Sequence, residues 1–182
     1  HRSLIGGVLA LRQQAAGKSF QRMAIDMHPF EADFFGVRYA GPFQTFSQAF
    51  MSAPYCAALA WSHGRVDYAG MNDFESAALL ALLPRIEIRS DAGRPRYQPS
   101  ISITLDDGRK LAWVDETGPA AYRLDWDAAV RMAAQLFAEA GAPDSLRDRL
   151  VETVADLANN GSVADVVAAA AQACAAAAAQ KL

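Results

Sequence analysis

An α+β fold follows from three features of the sequence: stretches of strict apolar–polar alternation, an Asp-Gly turn between two of them, and helical periodicity on either side. The alternating stretches are 20–27 (FQRMAIDM), 85–90 (RIEIRS), 100–105 (SISITL) and 110–114 (KLAWV). A two-residue period marks a half-buried strand. These stretches predict about four strands in a mainly antiparallel sheet, a usual sheet size, with helices on one face. From residue 121 the composition turns helical throughout. The chain is therefore expected to hold an α+β domain over 1–120 and a helical C-terminal segment over 121–182.

Residues 3–16 carry Leu4, Ile5, Val8, Leu9 and Leu11 at helical spacing, with Ser3 the expected N-cap and Gly17 the expected stop. Gly6-Gly7 lowers helix propensity there, which implies close approach of another element. The strand at 20–27 should place Phe20, Arg22 and Ala24 on one face and Gln21, Met23, Ile25 and Met27 on the other. It should end at His28-Pro29, because proline cannot donate to a ladder. An aromatic loop runs from Phe30 to Tyr39. Residues 44–51 suit a helix, and Pro54 either kinks it or opens a second segment over 54–62 that Gly64 closes. A further helix is expected over 73–82, capped by Asp73 and stopped by Pro84. Asp91 to Gln98, with Gly93 and Pro95, is a surface loop. Asp107-Gly108 predicts a type I′ hairpin between the last two strands.

In the second half, Asp125 caps a helix whose stripe is Trp126, Val130, Ala133 and Phe137, ended by Gly141. Pro143-Asp144 opens another, with Leu146, Leu150, Val154 and Leu157. Ser162 with Asp165 resembles a capping box opening the last helix. Its alanine-rich tail has high helix propensity but buries little area, and is expected either to fray or to lean on a partner.

Composition narrows the function. Seventeen basic and twenty acidic residues give a net charge of −3, which argues against a general nucleic-acid binder. Cys56 and Cys174 lack metal or disulfide spacing and read as reduced thiols of a cytoplasmic protein. No stretch suits a membrane span, and the start HRSLIGGVLALRQQ lacks a secretory cleavage site. The histidines His1, His28 and His63 are not spaced as metal ligands. His28 reads as a strand-end residue and His63 as a cation at a helix C-terminus. There is no Walker loop, no dinucleotide fingerprint and no nucleophile elbow.

The most informative stretch is Gly41 to Gly64, GPFQTFSQAFMSAPYCAALAWSHG. Small residues, aromatics and hydroxyls are packed at helical density between two turns. Ser52 is a candidate pocket hydroxyl beside Tyr55, Arg38 a candidate carboxylate ligand, and Cys56 a small buried apolar residue. This stretch resembles the Ser-Pro-Tyr segment of the MmgE/PrpD family, which includes 2-methylcitrate dehydratase, cis-aconitate decarboxylase and iminodisuccinate epimerase. The order of the other segments is similar too: a helix opened by His1, a strand ending in Asp26-Met27-His28-Pro29, then LLPRIEIRSD (82–91), SISITLDDGRKL (100–111) and LDWDAAVRMAAQLF (124–137). The resemblance spans nearly the whole chain and only the second half of such an enzyme.

The resemblance implies an α+β lid that packs on a helical N-terminal domain, with the active site between them. It implies cofactor-free, metal-free lyase or isomerase chemistry on small di- and tricarboxylic acids, and a chain inactive alone. Such chemistry needs positioned acid–base groups and cations that hold carboxylates. By match to the family, His1 is the candidate acid–base and Tyr55 a candidate proton donor or carboxylate ligand, both facing the pocket. A helical partner domain or chain and self-association are expected. The rival expectations are a non-catalytic interaction or assembly domain, and a stand-alone small-molecule binding module.

Overall fold

The computed structural model describes residues 1–179, the side chain of Ala121 excepted. It divides into two compact units, His1–Arg123 and the chain from Leu124 onward.

The first unit is built on a four-stranded sheet of order β2-β1-β3-β4, with β1 Phe20–Met27, β2 Ile86–Ser90, β3 Ser100–Leu105 and β4 Lys110–Val114. β1–β3 and β3–β4 are antiparallel, and β1–β2 is parallel. The sheet is thus mixed but mainly antiparallel, in an α+β fold. A parallel pair needs a long crossover, here residues 28–85. The crossover holds α2 Pro29–Ala32, α3 Phe46–Met51, α4 Ala53–His63 and α5 Ala77–Leu80. Helix α1, Arg2–Ala15, precedes the sheet and packs on β3, β4 and α4.

One sheet face is apolar and covered. Met23 and Ile25 of β1 sit opposite Ile86 and Ile88 of β2, and opposite Ile103 and Ile101 of β3, all buried. The other face carries Arg22, Asp26, Glu87 and Arg89, joined by ion pairs Arg22–Glu87, Arg89–Glu87 and Arg89–Asp26. The alternation in β1 departs from the expected one. A bulge between Phe20 and Arg22 adds a residue, so Phe20 joins Met23, Ile25 and Met27 in the core and not Arg22. Its ring meets Trp61 of α4 edge-on at 5.1 Å.

Helix α4 is buried all round from Ala53 to Trp61. Its small residues let neighbours approach on every side, the pattern of a central helix. Ser52 both ends α3 and caps α4, accepting the Tyr55 N–H, so Pro54 belongs to the first turn of a second helix. Thr45 and Gln48 form a full capping box at α3.

Three local expectations are corrected. His1, not Ser3, stands at the N-cap of α1, and Ser3 lies inside the first turn. Gly17 does follow the helix at C′, at φ 82°, after a left-handed C-cap at Ala16, φ 52°. The helix expected over 73–82 shrinks to the single turn α5, with turn and irregular backbone over 73–76 and 81–82 and short 3₁₀ turns beyond, at Gly70–Asn72 and Leu83–Arg85. The hairpin exists, but not as type I′, which requires positive φ at both central residues. Only Gly108 is left-handed, at φ 83°. Gly108 N–H bonds to Leu105 O and Leu105 N–H to Arg109 O, a three-residue loop with a glycine bulge.

The second unit contains α6 Trp126–Ala140, α7 Asp144–Asp156 and α8 Val163–Ala179. Asp125 caps α6 through the Ala128 N–H at 2.7 Å, and Gly141 ends it at φ 69°. α7 packs against both neighbours. Among the described residues no helix is long and apolar enough to cross a membrane.

Candidate functional site

The chain turns sharply after β1. His28 Nδ1 accepts the Phe30 N–H at 3.0 Å and Pro29 occupies the first turn, so His28 caps α2. The segment that follows borders two surface cavities. The first, about 300 Å³, is lined by His1, Leu4, Phe30, Phe34, Tyr97 and Tyr122 among others. The second, about 580 Å³, lies between Ala32–Tyr39 and Ser47–Met51. Phe34 borders both.

His1 lies at the first cavity. Its Nε2 is 2.8 Å from the Met51 carbonyl. A carbonyl only accepts, so Nε2–H donates and Nδ1 of the neutral ring stays available for proton exchange. Arg38 lies at the second cavity with its guanidinium engaged three times. Nε donates to Ala32 O at 2.9 Å, Nη1 to Ile88 O at 3.1 Å and Nη2 to Asp33 Oδ1 at 2.7 Å.

Ser52 and Tyr55 line neither cavity. Ser52 is fully buried. Its Oγ donates to Tyr39 O and accepts from Tyr55 N–H at 3.0 Å. Tyr55 is fully buried too, its ring 4.7 Å from Phe43. Its hydroxyl reaches Gly70 O at 2.8 Å and Asp73 O at 2.9 Å. Burial, then the negative charge of Asp73 and Cys56, pushes the phenol up to about 12. The resemblance implies a pocket-facing Tyr55. Within this unit, the residues 70–73 enclose it. Cys56 behaves as a buried apolar residue, its thiol pushed up to about 12 by burial and therefore unreactive at neutral pH.

Two features of the first cavity escaped the sequence reading. Asp115 is a buried carboxylate beside it. It accepts from Ser3 Oγ through one oxygen and through the other from Thr117 N–H and Oγ1, both at 2.7 Å, and Gly118 N–H at 3.1 Å. Burial raises its pKa, and these donors more than offset that, so the group lies below the usual range. This network ties the start of α1 to the turn that carries Tyr122. The Asp-x-Thr-Gly run after a strand was the available signal for it. The second feature is Tyr97, at φ 62°, which no local pattern announces.

Among the described residues no group of three or more His, Cys, Asp or Glu side chains stands close enough to hold a metal ion. The sequence matches no family model and no curated protein. Chemically, the arrangement offers one imidazole with a free nitrogen at an aromatic cavity. Among the described residues, the only lysine or arginine lining either cavity is the engaged Arg38.

Proposed function

We propose that the first unit is the lid half of a cofactor-free lyase or isomerase of the MmgE/PrpD type. It acts on small di- or tricarboxylic acids once a helical N-terminal domain or chain completes the site. The observation that carries this function is His1, the residue opening α1, held by the Met51 carbonyl with Nδ1 free at a cavity. In this role it moves the proton next to a substrate carboxylate. Ser52 and Tyr55 serve the fold, Ser52 capping α4 and Tyr55 tying it to the 70–73 turn. Tyr55 acts on the reaction only if the completed site opens its hydroxyl to substrate.

The lone chain is inactive in this scheme. Two or three carboxylates need cations, and Arg38, the guanidinium at the second cavity, already serves Asp33 and two carbonyls. The remaining cations and acid–base groups come from the partner. A cytoplasmic location accords with two unpaired cysteines.

The test is reconstitution with a helical domain of this type, followed by cis-aconitate and 2-methylcitrate turnover. The expected result is turnover that His1→Gln abolishes. Turnover indifferent to His1→Gln, or none in a demonstrated complex, rejects the lyase function. A tight complex without turnover favours an assembly domain. One observation favours that second reading: Phe46, Phe50 and Tyr68 stack at the surface, at 38%, 55% and 57% exposure, an apolar patch of the kind that marks interaction sites.

A further inference from the structure

The first cavity has a chemistry of its own. Leu4, Met27 and Val37 form its buried side. The rings of Phe30, Tyr97 and Tyr122 form a half-exposed rim, joined edge-on at 6.1 Å and 6.0 Å. Its polar groups are mostly engaged: the Ser3 hydroxyl on Asp115, and Glu31 Oε2 on the Tyr97 N–H at 2.7 Å. No lysine or arginine lines it. On the cavity floor a carboxylate would lose hydration and face Glu31, both unfavourable; the cationic or cation-forming groups nearby, the His1 imidazole and the Arg96 guanidinium 4.4 Å over the Phe30 ring, are not part of that floor. An apolar group would lose only unfavourable contact with water. The volume of about 300 Å³ is roughly twice the ~150 Å³ that admits benzene in an apolar cavity.

Tyr97 supplies a second, independent observation. A bulky residue at φ 62°, here in a turn, is a genuine outlier, and such strained residues cluster at active sites, ligand clamps and switch regions. Glycine would relax the loop. The tyrosine kept there closes the rim between Phe30 and Tyr122.

We infer that this cavity binds an uncharged alkyl or aryl group. Combined with the proposed lyase function, on which this step alone rests, the substrate carries such a substituent and keeps its carboxylates off the apolar floor. Tyr97 is then a specificity-determining residue.

The experiment titrates the full chain, labelled at the methionine methyls, with benzyl alcohol and separately with glutarate. Benzyl alcohol is expected to shift the Met27 methyl saturably, and glutarate to leave it unmoved. Tyr97→Gly suits the backbone, so the melting temperature should hold or rise while benzyl alcohol binds roughly tenfold more weakly, as loss of one aromatic wall predicts. No Met27 shift, an equal shift with glutarate, or unchanged affinity in Tyr97→Gly overturns the inference. Failed turnover in reconstitution would reject the lyase function and leave this result standing.

Discussion

At the residue scale, the hydroxyls that stand out in the sequence hold the fold together. Tyr55 reaches two carbonyls of the 70–73 turn. Tyr55→Phe would remove both bonds, leaving Gly70 O only the Asp73 N–H, and the expected loss is about 1 kcal/mol, read from urea unfolding. An unchanged midpoint would show that the hydroxyl has no part in stability. Asp115 makes a pH-dependent contribution. Its folded pKa is depressed below 3.8, the value taken for the free side chain. Its stabilisation is therefore complete above that value and is lost as pH falls through it toward the folded pKa. Acid melts should show stability declining below about pH 4, and Asp115→Asn should flatten that decline while lowering stability at neutral pH by about 1.5–3 kcal/mol. An acid limb unchanged in the variant would remove Asp115 from it. Sequence alone marked Ser52 and Tyr55 because hydroxyls are unusual in a helix of small residues. Whether a hydroxyl meets a cavity or a carbonyl depends on a turn 15 to 18 residues away, which local pattern does not place.

At the element scale, the two adjacent glycines of α1 have opposite roles. A Cβ on Gly7 would lie 2.3 Å from Trp113 Cε3 of β4, whereas one on Gly6 would meet nothing within 4 Å. Gly7 is what lets the helix lie on the sheet. Gly7→Ala should cost about 1–3 kcal/mol by overpacking. Gly6→Ala should stabilise by about 0.5–1 kcal/mol through helix propensity. Thermal melts of the two variants, side by side, decide the matter, and equal effects would mean α1 does not approach Trp113 closely. The elements most legible in the sequence were those with clean periodicity, β2 and β3 above all. Those missed or misjudged depended on one extra or one missing residue. The bulge in β1 moved Phe20 across the sheet, and the hairpin loop took three residues where Asp107-Gly108 suggested two. α5 starts at Ala77, not Asp73, and the Asp73 carbonyl accepts the Tyr55 hydroxyl.

At the scale of the whole molecule, the apolar core determines what can fold alone. The main cluster runs from Leu4 to Leu105 and lies wholly in the first unit. It contains both sides of the sheet's covered face and the buried helix α4, so it should not require residues beyond Arg123. In the second unit α6 and α7 bury no residue fully, while Trp126, Met132, Leu136, Val163 and Val167 stay exposed. Three helices with so little enclosed area cannot offset their conformational entropy by a wide margin. A fragment of residues 1–123 should therefore melt cooperatively within about 5 °C of the full chain, a shift of roughly 1 kcal/mol at this size. A fragment beginning at Leu124 should lose helicity gradually on heating, without a sharp transition. Circular dichroism of the two fragments tests both statements. A cooperative melt of the second fragment, or an unfolded first fragment, would mean that the stability of this chain is shared between its units and not held by the core around α4.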